Sequence, residues 1–220
     1  MSGFSTPLVL TGPLRKPAQM LAAQEYDGHS SIHDDSTAAA LGLAGAPIEA
    51  PTHFSQFDPL AAMAWGEEEW FTHGCISCHF RTMVVEGEEV RAALSLDGTG
   101  GGSAGRISAE KADGTPVLTG TASVGAPPGV LSELSARLAS LAHPGPLHII
   151  DQLSVGMRDD GVTARVDFDS PNGTGYPFTL AQKLSLITEP HPWYTPSGAG
   201  SSPWGRPVLP FEMISVLAHK

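Results

Sequence analysis

Residues 75–96 read CISCHFRTMVVEGEEVRAALSL. The first five letters spell CxxCH, the pattern that anchors c-type haem. The alternative is a strand. β-Branched and apolar residues lie on both sides of Glu86-Gly87-Glu88-Glu89, a four-residue turn with glycine, and this predicts a β-hairpin over 75–96. Side chains on a strand alternate faces, so Cys75, Ser77, His79 and Arg81 point one way and Ile76, Cys78 and Phe80 the other. Cysteines on opposite faces neither clamp one porphyrin nor chelate one metal, and a disulfide between them requires a broken strand. They read as reduced, small apolar strand residues.

Downstream, residues 105–125 (GRISAEKADGTPVLTGTASVG) repeat the pattern around Asp113-Gly114 and predict a second hairpin. The run GTGGGSAG at 98–105 contains both a dinucleotide spelling and a nucleophile-elbow spelling. Each of those motifs needs a helix after the glycines, because the phosphates or the oxyanion sit at its N-terminus. A strand follows here, so the run reads as a hairpin loop. Upstream, DDSTAAALGL at 34–43 predicts a short helix. A second is expected over 54–65, where Phe54, Phe57, Leu60 and Met63 recur at helical spacing and Pro59 fits a first turn. Helix followed by four antiparallel strands is the expected core.

A linker helix is expected at 131–141, with a soft boundary near 126. Beyond it lie strand candidates at 148–158, 161–170 and 178–188, and a Pro-, Gly- and Ser-rich loop at 189–203. Gly45-Ala46-Pro47-Ile48 is faintly echoed by Gly205-Arg206-Pro207-Val208, with Pro51 and Pro210 in step once one residue is skipped.

Composition narrows the class. The 220 residues are 41% hydrophobic and 16% charged, with 25 Gly and 19 Pro, as expected of a turn-rich globular protein. A formal charge of -11 repels phosphate backbones, which excludes nucleic acid as the expected partner. The first residues lack a basic region and carry only a short apolar run, and no stretch is long enough to span a membrane, so a cytoplasmic protein is expected.

Chemistry points to EYDGHSSIHDDSTAAALG at 25–42, where Asp27, His29, His33, Asp34 and Asp35 enter the first helix. A His and Asp pair there suits general acid and base work on a carbonyl compound, given apolar walls that exclude water. Asp34 or Asp35 also fits a helix cap, and His33 a structural histidine. His33-x-Asp35 spells part of an iron facial triad, with His143 or His148 as the third ligand. An alanine helix is the wrong setting for that triad, so no metal is expected.

The succession IHDDSTAAALG, GAPIEAP, HFRTMVVEGEEVRA and AGRISAEKADGTPVLTGTASV resembles the MaoC-like dehydratase and (R)-specific enoyl-CoA hydratase family, over roughly residues 8–125. The resemblance implies an α+β hot-dog fold, an antiparallel sheet wrapped around a central helix. Residues 1–125 then form one hot-dog unit, and 126–220 a linker helix with a degenerate second unit, making a double hot-dog, or a lid. It implies reversible hydration of a 2-enoyl thioester of coenzyme A or acyl carrier protein, without a cofactor, in a homodimer. His33 matches the catalytic histidine. The family's Asp, five places earlier, is Gly28 here, with Asp27 adjacent. The expected catalytic set is therefore His33, Asp27 and Asp35, with a backbone amide near Gly42 to Gly45 as oxyanion donor. Phe54, Phe57 and Trp65 are the expected acyl wall and Arg81 the expected phosphate contact. A non-catalytic acyl-thioester binding protein and a hot-dog thioesterase are the alternatives.

Overall fold

The computed structural model describes residues 7–18, 31–96, 102–126, 132–142, 145, 154, 156–158, 165–172 and 178–214. Five strands form one antiparallel sheet: β1 (Leu8–Thr11), β2 (Gly74–Phe80), β3 (Val90–Leu96), β4 (Ala104–Lys111) and β5 (Pro116–Val124). Their order is β1-β3-β4-β5-β2. Between β1 and β2 the chain forms α1 (Asp35–Ala40), a 3-10 helix (Ala50–Phe57), α2 (Asp58–Trp65) and α3 (Glu67–His73). The architecture is the α+β hot-dog fold. The helix that the sheet wraps is the run from Ala50 to His73, with Pro59 in the first turn of α2, and not the shorter α1.

Period-two alternation on β3 buries Val90, Ala92, Leu94 and Leu96, and on β5 Leu118, Ala122 and Val124. These meet Phe57, Leu60, Ala61 and Trp70 of the helical run. Each large apolar side chain buried this way contributes roughly 1.5–3 kcal/mol.

The second expected hairpin is present. β4 and β5 pair around Asp113-Gly114, where Asp113 Oδ1 accepts the Thr115 N–H at 2.9 Å. The first is not. β2 pairs with β5, from Gly74 opposite Val124 to Phe80 opposite Leu118, while β3 pairs with β1 and β4. The ladder of the strand expected to reach Val85 ends where the Arg81 and Thr82 N–H groups both converge on Val117 O of β5; beyond that, Val84 O accepts from Ile48 N–H and Val85 bridges to Pro47. The turn after Val85 therefore reverses a crossover and not a hairpin. β2 fits on the far side because Gly120 is bare: a Cβ there would lie 2.2 Å from Ser77 O. Cys75 and Cys78 are free thiols, one exposed and one partly buried, as strand alternation requires.

Beyond residue 126, α4 (Glu133–Ser140) occupies the expected linker helix, capped by Ser132. The strand expected at 178–188 is instead α5 (Leu180–Leu184). A capping box explains the change: Thr179 Oγ1 accepts the Gln182 N–H, and Gln182 Oε1 accepts the Thr179 N–H. Residues 165–170 form a loop where a strand was expected, because Asp167 Oδ1 accepts the Asp169 and Ser170 N–H groups and turns the chain. Residues 161–164, and most of 148–158, lie outside the described residues. Among the described residues after 126, none is in a strand.

This C-terminal portion is fastened to the central helix by buried polar contacts. Asp58 accepts from Trp70 Nε1 at 2.7 Å and from Tyr194 OH at 2.6 Å. Lys183 pairs with Glu212 at 2.6 Å, and Glu212 accepts from Ser55 Oγ. Outside the central helix, the more exposed Arg15 pairs with Glu189 at 2.6 Å. The two echoed GxP segments each lead into a 3-10 helix, Ala50–Phe57 and Phe211–Met213, and these two helices pack on one another.

Candidate active site

α1 begins where Asp34 can cap it. The Asp34 carboxylate accepts from Ser36 Oγ, from Thr37 N–H at 2.9 Å and from Thr37 Oγ1 at 3.0 Å, and these bonds hold its pKa below the ordinary value. The helix ends after a turn and a half, when Gly42 takes a positive φ of 77° and its N–H donates to Ala39 O. The Gly42 amide is thus part of the helix stop. His33 stands one residue before the cap.

His33 Nδ1 lies 2.6 Å from the carbonyl oxygen of Pro47. A carbonyl can only accept, so Nδ1 carries the hydrogen and Nε2 is the basic nitrogen of the neutral ring. Asp35 Oδ1 accepts the Ala46 N–H at 3.3 Å and so steadies the backbone that presents the Pro47 carbonyl. Asp27, His29, His143 and His148 lie outside the described residues.

His33 lines a cleft of about 530 Å³ whose walls include Ile48, Phe80, Met83 and Val84, with Glu49, His53 and Arg81 as its ionisable members. Arg81 is exposed; its Nε donates to Thr119 Oγ1 at 3.1 Å. Phe54 stands behind Phe80, with ring centres 6.0 Å apart. Phe57 and Trp65 do not line the cleft. Phe57 is in the core, and Trp65 donates to Gly102 O at 2.8 Å while stacking on Trp70. His33 also borders a second cleft of about 440 Å³, shared with Asp35, Gly45, Ala46 and Glu86. The site thus joins His33, Arg81 and, through Ala46, Asp35.

His53, which the sequence did not single out, also lines the cleft. It is only 2% exposed, and burial holds its pKa down at about 4. Gln56 Nε2 lies 3.4 Å from its Nδ1. His53 and Gln56 stand three apart on a helix that also buries Thr52 and Ser55, so their polarity alone did not single them out. Among the described residues no group of three or more His, Cys, Asp or Glu is placed to hold a metal ion, and no helix is long and apolar enough to cross a membrane.

No family model matches the chain, and no curated protein matches it. Among solved structures it is similar to an (R)-hydratase from A. caviae involved in PHA biosynthesis, at 18% identity and a TM-score of 0.38, over 57% of this chain and 98% of that one. It is also similar to the R-hydratase PhaJ1 from Pseudomonas aeruginosa in the unliganded form, at 19% identity and a TM-score of 0.35, over 67% of this chain and 93% of that one. Likenesses of this size add nothing to what the strand order itself shows.

Proposed function

We propose that the chain hydrates 2-enoyl thioesters, and dehydrates 3-hydroxyacyl thioesters, at the His33 cleft. The observation that carries this reading is the Nδ1–H bond from His33 to Pro47 O, which leaves Nε2 as a base at an apolar cleft. In the hydration direction Nε2 takes a proton from water as the water oxygen bonds to C3, the enolate so formed takes a proton at C2 from the acid of the pair, and the His33 imidazolium then returns its proton to that acid. Asp27 is the proposed second member of the acid and base pair. Asp35 positions His33, and Arg81 at the rim meets the phosphates of coenzyme A or the acidic surface of a carrier protein. Phe80, backed by Phe54, forms the acyl wall together with Ile48 and Val84. Phe57 and Trp65 support the fold, as does Gly42, whose amide closes α1.

The same reading takes 126–220 as a strap across the central helix, the lid alternative. It is supported by the buried Asp58, Glu212 and Tyr194 contacts and by the lack of strands among the described residues there.

The test is incubation with short and medium enoyl-CoA thioesters, following loss of the conjugated absorbance together with release of free thiol. Absorbance loss without thiol is the expected result. Thiol release would make the protein a thioesterase. Neither signal, with a melting temperature still raised by the thioester, would leave a non-catalytic acyl-thioester binding protein.

A further inference from the structure

A thioester hydration needs a hydrogen-bond donor at the carbonyl oxygen, where negative charge develops as C2 and C3 react. The amide of Gly42 is engaged with Ala39, and Gly45 borders the other cleft. The 3-10 helix facing the His33 cleft opens with Ala50 and Pro51; Pro51 has no N–H, and the Thr52 N–H donates to Glu49 O at 3.1 Å. Neither Pro51 nor Thr52 therefore offers a free backbone donor at this wall.

We propose that His53 donates the hydrogen bond to the carbonyl oxygen of the thioester bound beside His33. This rests on the hydratase reading above and deepens it. His53 is buried, yet it lines the same cleft as His33. The Gln56 amide nitrogen carries only hydrogens, so its approach to Nδ1 makes that nitrogen the acceptor and places the ring hydrogen on Nε2. Among the described residues Nε2 has no partner. Burial keeps the ring neutral at working pH, so it donates without competing as a base.

The two histidines are thereby complementary. His33 is held with Nδ1–H on Pro47 and a basic Nε2, and His53 with an accepting Nδ1 and an Nε2–H donor. One handles the proton and the other the carbonyl. Gln56 is a positioning residue that fixes the tautomer of His53.

Two measurements test this. The first compares the affinity of the wild-type protein for butyryl-CoA with that for its thioether analogue S-butyl-CoA, which lacks only the carbonyl oxygen. The thioester is expected to bind about tenfold more tightly, and the preference is expected to survive in His33→Ala and vanish in His53→Phe. Equal affinity of the wild type for the two ligands overturns the proposal without recourse to any variant. The second is turnover of crotonyl-CoA, where His53→Phe is expected to lower kcat by about 10²–10³-fold with little change in KM, and His53→Gln, which keeps an N–H donor, to recover part of it. A kcat within about threefold of wild type in folded His53→Phe overturns the assignment of His53 while leaving the hydratase reading intact. Absence of turnover in the wild type overturns that reading instead, and the thioether comparison still decides whether His53 meets a carbonyl.

Discussion

The two ring nitrogens of His33 face different partners, and the difference is what makes the residue chemical. One is fixed by Pro47 O and the ring lines a cleft, which suits a histidine in a helix-entry loop to the proposed role of base. The place of His33 ahead of a capped alanine helix was legible in the sequence, and its proposed role rests on the pattern it resembles. The division of labour between the two neighbouring aspartates was half legible. One cap was expected, and the structure gives it to Asp34, leaving Asp35 for Ala46. His53 was not legible, since nothing in PTHFSQF distinguishes a histidine facing a cleft from one packed in a core. Arg81 offers a prediction at this scale. Arg81→Ala should raise KM for coenzyme A thioesters about tenfold and leave kcat within twofold, with no change for thioesters of pantetheine, which lack the nucleotide phosphates. An unchanged KM for coenzyme A thioesters would remove Arg81 from the rim.

Elements were easier to recognise than to pair. The strands at 75–80, 90–96 and 105–124 are where alternation puts them, but the partner of β2 is β5, a contact between distant parts of the chain that no local turn encodes. The turn at Gly87 misled because a turn fixes a reversal, not which strand lies alongside. Pairing was written elsewhere, in Gly120, whose missing side chain admits Ser77 O. Gly120→Ala should therefore destabilise the protein by about 2 kcal/mol or more in urea unfolding, since backbone atoms of β2 would have to move. A loss below about 0.5 kcal/mol would show that β2 does not close on β5 as described. α5 shows the opposite failure. Phe178, Leu180 and Leu184 fit a strand reading until the reciprocal Thr179 and Gln182 bonds close a helical turn.

At the scale of the molecule, two buried groups set an unusual pH balance. Burial pushes Asp58 up to about 7 and His53 down to about 4. Between the ordinary carboxylate value and pH 7 the folded protein keeps a proton on Asp58 that the unfolded chain has lost, so this group makes stability fall as pH rises. Between about 4 and the ordinary histidine value the unfolded chain holds a proton that folded His53 lacks, so that group makes stability rise with pH. The two trends oppose one another over most of that window. Asp58→Asn should expose the rise and His53→Gln the fall when Tm is followed from pH 4 to 7; identical slopes in both variants would contradict the burial of the pair. Neither group announced itself in the sequence, because Asp58 is buried by Tyr194, a contact with the far end of the chain. If His33 is the base at an enoyl thioester, crotonyl-CoA absorbance is lost in the wild type without thiol release, and its rate of loss falls by about 10²–10⁴-fold in His33→Ala. Equal rates in the two proteins would contradict it.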